Sequence, residues 1–334
     1  MQRSHEAPRA STNPDGRKAA RRLLAVAAVA LSATVLLGCT STAPQREGRP
    51  ATVAVDGNVP APTVTTESTL TTTLALVTDY GSCDDGERKV ADMVASWPIS
   101  MVATAGDNAR SAADCTPYQQ SVDDYYTPFL GGADGGRFYP VPGDEDYSAP
   151  GAGLDAYLKA FGFLATMNDD PRWYKLNAGT VNMFMLDSEV DADSMAAQKA
   201  WLQQALTQAH ESEPGYWNIV VVHRPPFTSA AQPNTAMRPA DGWDYKAWGA
   251  NVVISGHERF WEELQVDGLT YVTAGVGAST GAAECPSTRA PGSRKCVSGT
   301  GAVLISAFTD KLTLEYRTPD GGKGSTKATA TVTR

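Results

Sequence analysis

The sequence predicts one α/β domain of about 245 residues, within the size of a single large core. Two observations carry that prediction. Short apolar runs of strand length recur along the chain, with helical spacing between several of them. Five of these runs end in a loop that opens with an aspartate or a histidine, and just past the carboxyl ends of strands is where open α/β sheets bind ligands.

The chain opens with Arg17, Lys18, Arg21 and Arg22 ahead of the apolar run Leu23 to Leu37. That run is about 15 residues long, short for a bilayer, so residues 1–38 read as a signal peptide. It closes on Leu36-Leu37-Gly38-Cys39, which resembles the lipobox of bacterial lipoproteins. The resemblance implies that Cys39 is the lipidated first residue of an exported chain held on the outer face of the membrane. Plain cleavage nearby, leaving Cys39 unmodified, is the alternative. Arg21-Arg22-Leu23-Leu24 loosely resembles a twin-arginine signal, which leaves the export route open. Residues 39–73, rich in Thr, Pro, Ala and Val, read as a disordered tether, and residues 319–334 as a flexible tail.

Removing residues 1–38 takes six of the 28 basic residues and two of the 37 acidic ones, which moves the formal net charge from −9 to −13. Such a balance argues against nucleic acid or an anionic membrane surface as a long-range partner. A monomer is expected, touching the membrane through its lipid alone.

The domain, residues 74–318, begins with Leu74 to Thr78, a buried-strand run that meets Asp79-Tyr80-Gly81. Val90, Met93, Val94 and Trp97 recur at helical spacing until Pro98 stops the helix, and the strand Ile99 to Ala105 then runs into Gly106-Asp107-Asn108. Three later segments repeat the arrangement. Phe138 to Pro142 leads into Gly143-Asp144-Glu145-Asp146, Trp217 to Val222 into His223-Arg224, and Asn251 to Ser255 into Gly256-His257-Glu258-Arg259. Between them, Trp173 to Leu176 and Val181 to Leu186 alternate like a hairpin, and Trp201, Leu202, Ala205, Leu206 and Ala209 mark an amphipathic helix. From Phe260 to Tyr316 the pattern is mostly strand, which predicts a second sheet packed on the first.

With Cys39 lipidated, four cysteines remain in an oxidising compartment. Cys285 and Cys296 bracket a short Pro/Ser/Arg/Gly loop and are expected to pair, which leaves Cys83 with Cys115. A zinc site is the competing reading, without closely spaced cysteine pairs to support it.

The order and spacing of Asp79-x-Gly81, Gly106-Asp107-Asn108, Gly143-Asp144-Glu145-Asp146, Val220-x-x-His223 and Gly256-His257-x-Arg259 resemble the five motif blocks of the calcineurin-like metallophosphoesterases, nearest the purple acid phosphatase branch. The resemblance spans about Leu74 to Tyr316. It implies a four-layer fold of two mixed β-sheets sandwiched between helices, and two-metal hydrolysis of phosphate esters with iron, manganese or zinc. Carried over by position, Asp79 is a first-metal ligand and Asp107 the bridging carboxylate. His223 and His257 are second-metal histidines, and Asp144 stands where the family has an asparagine on that metal.

The first-metal set is depleted. Arg110 and Arg259 stand where this branch has a tyrosine and a histidine, and a guanidinium has no lone pair to give a cation. Glu145 replaces the histidine that contacts the phosphate and protonates the leaving group. The resemblance therefore supports two readings. One is a one-metal phosphoesterase in which Glu145 and Arg259 assist catalysis and Arg110, Arg224 and Arg259 hold the phosphate of a phosphorylated small molecule. The other is a non-catalytic relative that binds a phosphorylated ligand, a cation or a protein.

Single residues also have plainer readings. Asp79 could simply pair with Arg259, Arg224 could be an ordinary loop residue, and His210 suits a solvated helix end. Tyr80, Tyr147, Trp243 and Trp261 are candidates for the pocket wall or for packing. No Gly-x-Ser-x-Gly block supports a serine nucleophile, and Gly131 to Gly136 reads as a loop rather than a nucleotide cradle.

Overall fold

The computed structural model describes residues 68–110, 115–131, 136–148, 151 and 153–334. The signal peptide, Cys39, most of the tether and residues 132–135 of the glycine-rich loop lie outside the described residues. Among the described residues the chain runs β1 (Leu70–Val77), α1 (Asp85–Ala95), β2 (Val102–Thr104), α2 (Asp124–Tyr126), β3 (Phe138–Tyr139), α3 (Asp144–Ser148) and α4 (Leu154–Ala160). It continues with β4 (Tyr174–Ala178), β5 (Val181–Leu186), α5 (Ala192–Ser212), β6 (Trp217–Val222), β7 (Val252–Ser255), β8 (Trp261–Val266) and β9 (Leu269–Ala274). It ends with β10 (Ser293–Val297), β11 (Ala302–Phe308), β12 (Lys311–Thr318) and β13 (Ser325–Thr333).

These strands form two mixed sheets, ordered β13-β12-β11-β1-β2-β3 and β10-β8-β9-β7-β6-β5-β4. β1, β2 and β3 are parallel in the first, and β5, β6, β7 and β9 in the second. Parallel strands buried on both faces need continuous apolar runs, which β5 (VNMFML) and β6 (WNIVVV) supply. Alternation sorts their side chains. Met183, Met185, Ile219 and Val221 join the large core with Leu74, Leu76 and Ile305 of the first sheet. Phe184, Leu186, Val220 and Val222 turn the other way onto Leu202 and Leu206 of α5. Each such fully buried aliphatic side chain contributes about 1.5–3 kcal/mol relative to exposure.

α1 is capped by Asp84, whose carboxylate accepts from Glu87 N, and its Val90, Met93 and Val94 enter the same large core. Tyr80, Trp243 and Trp261 are core residues, not pocket wall, and His210 is exposed near the end of α5. The cysteines pair as Cys83–Cys115 and Cys285–Cys296, with Cα separations of 6.2 and 6.1 Å, so they form no zinc site.

Two boundaries need correction. The tail expected to be flexible forms β13, paired antiparallel with β12 from Ser325 to Thr333. Its inward positions are Ala328, Ala330 and the half-buried Val332, so its alternation is too weakly apolar to read as a strand. At the other end the tether stops earlier than residue 73, because Leu70 to Thr73 already belong to β1. Threonines there favour an extended backbone but look like linker composition.

Candidate metal centre

All five ligand-type residues arrive at the carboxyl ends of parallel strands or their loops: Asp79 after β1, Asp107 after β2, Asp144 at the start of α3 after β3, His223 after β6 and His257 after β7. Asp79, Asp107, His257 and Arg259 have positive φ of 52°, 55°, 70° and 60°. Non-glycine residues seldom adopt this left-handed conformation, and it concentrates at functional sites. Close approach of the loops depends on glycine. A Cβ on Gly143 would lie 2.3 Å from Asp107 Oδ1, and one on Gly106 2.4 Å from His223 Nδ1.

His223 is fully buried and donates from Nδ1 to the Ala105 carbonyl at 2.7 Å. That leaves its Nε2 facing Asp144 Oδ1 at 2.9 Å and Asp107 Oδ1 at 3.3 Å. His257 Nδ1 lies 2.9 Å from Asp144 Oδ1 and 3.3 Å from His223 Nε2. Donor atoms around one tetrahedral ion, each about 2.0–2.1 Å from it, sit about 3.3 Å apart. Asp144, His223 and His257 fit that spacing as one group of three donors, with Asp107 Oδ1 beside it at 3.3 Å from His223 Nε2; Asp79, Asp107 and His223 make a second group that shares the same imidazole. Imidazole with carboxylate is a donor set suited to zinc, iron or manganese.

Electrostatics point the same way. Burial lowers the pKa of His223, but the carboxylates of Asp107, Asp144 and Asp79 outweigh it and hold the imidazole well above its ordinary value. Burial raises Asp144, yet hydrogen bonds from His223 and His257 pull it below the usual carboxylate range. For Asp107, burial, with the negative charge of Asp79 and Asp144, pushes the carboxyl up despite the attraction of His223. Its Oδ2 is buried without a hydrogen-bond partner among the described residues. Such a cluster has negative potential that a cation would relieve, and a cation and a proton compete for His223 Nε2.

His257 carries one further constraint. Its Nε2 accepts from Arg224 Nη1 at 2.9 Å, because a guanidinium can only donate, and the proton of a neutral ring therefore sits on Nδ1. For His257 to give Nδ1 to a cation, that proton must pass to Nε2 and Arg224 must turn aside. Arg224 is held in place by Glu189, at 2.9 and 3.1 Å from its Nε, and by Asp144 Oδ2 at 3.2 Å.

The position of a first metal has different contents. Arg259 reaches Asp79 Oδ1 with Nε at 3.4 Å, Asp107 Oδ2 with Nη2 at 3.9 Å and Glu145 Oε1 with Nη2 at 2.7 Å. Arg110, buried behind it, donates from Nη1 to Thr280 O at 2.6 Å, Ser82 Oγ at 3.2 Å and Asp79 O at 3.3 Å, and its Nε is 3.7 Å from Glu145 Oε1. Asp79 Oδ2 is occupied by Thr78 Oγ1 at 2.7 Å and His257 N at 2.8 Å. Asp144, His223 and His257, with Asp107 beside them, fit one cation; the second group, Asp79, Asp107 and His223, shares His223 with the first and has Arg259 against both of its carboxylates, so the two groups do not fit two cations together. Glu145 is clasped by Arg259 and lies beside Arg110, a charge-assisted pairing.

Sequence reasoning passed over Asp146. Fully buried, it accepts from Gly143 N at 2.8 Å, Asn108 N at 3.1 Å, Asn108 Nδ2 at 2.8 Å, Ala109 N at 3.1 Å and Tyr118 OH at 3.2 Å. It thus ties the Asp107 loop to the Asp144 loop. Burial raises its pKa to about 6 against these bonds. The signal was its place three residues after Gly143, inside a block already singled out. Glu189, which anchors Arg224, had no such signal. Tyr147 donates to Asp187 Oδ2 at 2.6 Å.

No family model matches the chain, and no curated protein matches it in sequence. Solved structures do match it in fold. One is GAP50, the anchor in the inner membrane complex of Plasmodium, with a TM-score of 0.64 and 15% identity over 79% of this chain and 89% of that one. Another is the purple acid phosphatase PPD1 from yellow lupin (Lupinus luteus) seeds, with a TM-score of 0.62 and 16% identity over 80% of this chain. The match spans 54% of the lupin protein. PhoD matches with a TM-score of 0.51 and 11% identity, over 79% of this chain and 70% of that one.

Proposed function

Starting from a chain that has the calcineurin-like metallophosphoesterase fold, we propose an exported, lipid-anchored monomer that holds one iron, manganese or zinc ion and binds a phosphorylated ligand without efficient turnover. The observation that carries this reading is the guanidinium of Arg259 among Asp79, Asp107 and Glu145, where a second cation would otherwise stand. Bound by Asp107, Asp144, His223 and His257, a metal ion would supply Lewis-acid polarisation of a phosphoryl oxygen. Arg259, 28% exposed at its side chain, lends fixed positive charge on the neighbouring side. Glu145 is poorly suited to protonate a leaving group, since Arg259 and Arg110 favour its charged form. Two disulfides support the exported half of the proposal, in keeping with an oxidising compartment. The lipid on Cys39 rests on the sequence alone.

A slow one-metal phosphoesterase is the second reading, favoured by the three-donor group of Asp144, His223 and His257 with Asp107 beside it. One experiment separates the two. The purified chain is analysed for bound metal, titrated calorimetrically with inorganic phosphate, and assayed on nitrophenyl phosphomonoester and diester with added manganese, iron or zinc. The proposal expects about one metal equivalent, metal-dependent phosphate binding and no turnover above the metal-free blank. Turnover lost in His223→Ala would establish the second reading instead. A chain with neither metal nor phosphate binding would sink both.

A further inference from the structure

A cavity of about 800 Å³ lies apart from the metal centre, between the segment leading through α2 and the segment of α4 and the turn that follows it. Its volume is within the roughly 300–1,000 Å³ of small-molecule sites. Phe129, Phe138, Phe161, Phe163 and Met167 line it, and Phe163 remains 42% exposed, an uncommon state for a phenylalanine with a free choice of packing.

One side of the wall is pinned to its neighbours. Tyr118, a lining residue with φ of 62°, donates its hydroxyl to Asp146, and Ser121 beside it donates to the Asn108 carbonyl at 2.8 Å. Phe161 is braced by Tyr157 and Tyr118 at ring separations of 5.0 and 5.7 Å. The two charged side chains of the lining, Lys159 and Asp123, are both exposed, whereas Phe129, Phe138 and Phe161 are buried, which puts charge at the rim and apolar surface inside. Among the described residues, Lys159 has no ion-pair partner.

We propose that this cavity binds a single-chain amphiphile, with its acyl chain among the phenylalanines and Met167 and its head group at Lys159. Flexible methionine beside ring faces and edges suits a long, conformationally variable chain. The head group, a carboxylate or a phosphate, is left to the test. This inference is independent of the metal reading, since no donor of the metal centre lines the cavity.

The test uses the whole chain carrying Cys39→Ser, so that no lipid of its own competes. Parinaric acid, a fluorescent fatty acid, is titrated in and then displaced by decanoate, palmitate or a palmitoyl lysophospholipid. Saturable one-to-one binding is expected, with affinity rising by up to about fourfold per added methylene as chain surface is buried. Ala156→Trp, which fills the cavity from α4, abolishes binding, and Lys159→Glu on the exposed rim weakens it at least about fivefold. Stronger displacement by palmitate marks a carboxylate ligand, and by the lysophospholipid a phosphate one. Absence of saturable binding overturns the proposal, as does binding unchanged in both variants while their melting temperatures match the parent.

Discussion

The two halves of the metal centre sit within one hydrogen-bond network, yet they have separate chemistry. On one side Asp144, His223 and His257 converge at 2.9–3.3 Å, as donors around an ion do, with Asp107 Oδ1 3.3 Å from His223 Nε2. On the other, Asp79 and the second oxygen of Asp107 face the guanidinium of Arg259, with Arg110 behind it. The contrast teaches that one rim of carboxylates can be met in two ways, on one side by imidazoles whose donor atoms could also hold a cation and on the other by a covalently attached guanidinium.

The most damaging test removes what ties the Asp107 loop to the Asp144 loop. Asp146→Ala strips the acceptor from five buried donors and should lower stability by about 3–5 kcal/mol, read as the denaturation midpoint. A loss within error would mean the two loops hold their positions without it. Next, His223→Ala should weaken metal binding by at least about 100-fold, measured by titration calorimetry with zinc or manganese. Unchanged affinity would break the assignment of the donor half.

Arg259→Ala leaves buried Asp79 and Asp107 uncompensated and should cost about 2 kcal/mol at neutral pH. Millimolar manganese should restore part of that loss in the variant while raising the melting temperature of the parent less. Equal response in both proteins would argue that Arg259 does not occupy a cation's place. A smaller effect is expected from Arg224→Gln. Freed of the guanidinium on Nε2, His257 can give Nδ1 to a cation, and metal affinity should rise by about tenfold. A weaker affinity would show that Arg224 supports the ligands instead of competing with the ion.

The smallest effect comes from a control outside both halves. Glu87 is buried, and burial raises its pKa to about 9 despite bonds from Cys83 N and Ser82 N. The folded state therefore binds its proton more tightly than the unfolded state, and the parent loses stability as pH climbs from about 4.5 towards 9. Glu87→Gln should remove that decline, with a gain on the order of 1 kcal/mol at pH 8 relative to pH 5. Parallel pH profiles for parent and variant would exclude Glu87 as its source.

Much of this was legible in order along the chain. β5, β6 and β7 are runs of apolar residues whose only sensible fate is a strand covered on both faces, and each parallel strand's carboxyl end delivers its loop to the same rim. β13 was not legible, because Thr and Ala alternate with too little hydrophobic contrast to distinguish a strand from a linker.

The sequence by itself determined the α/β class, the five loops that meet and the disulfide pairs, because these follow from apolar runs, the residue that ends each run and the placing of the cysteines; the depleted first-metal set is only what the resemblance implies. Only the tertiary structure decided where the arginines went. Whether Arg259 reaches Asp79, whether Arg224 stands on His257, and that Asp146 ties two loops all depend on side-chain directions across residues up to 180 positions apart. Spacing along a chain carries no information about such angles; packing does.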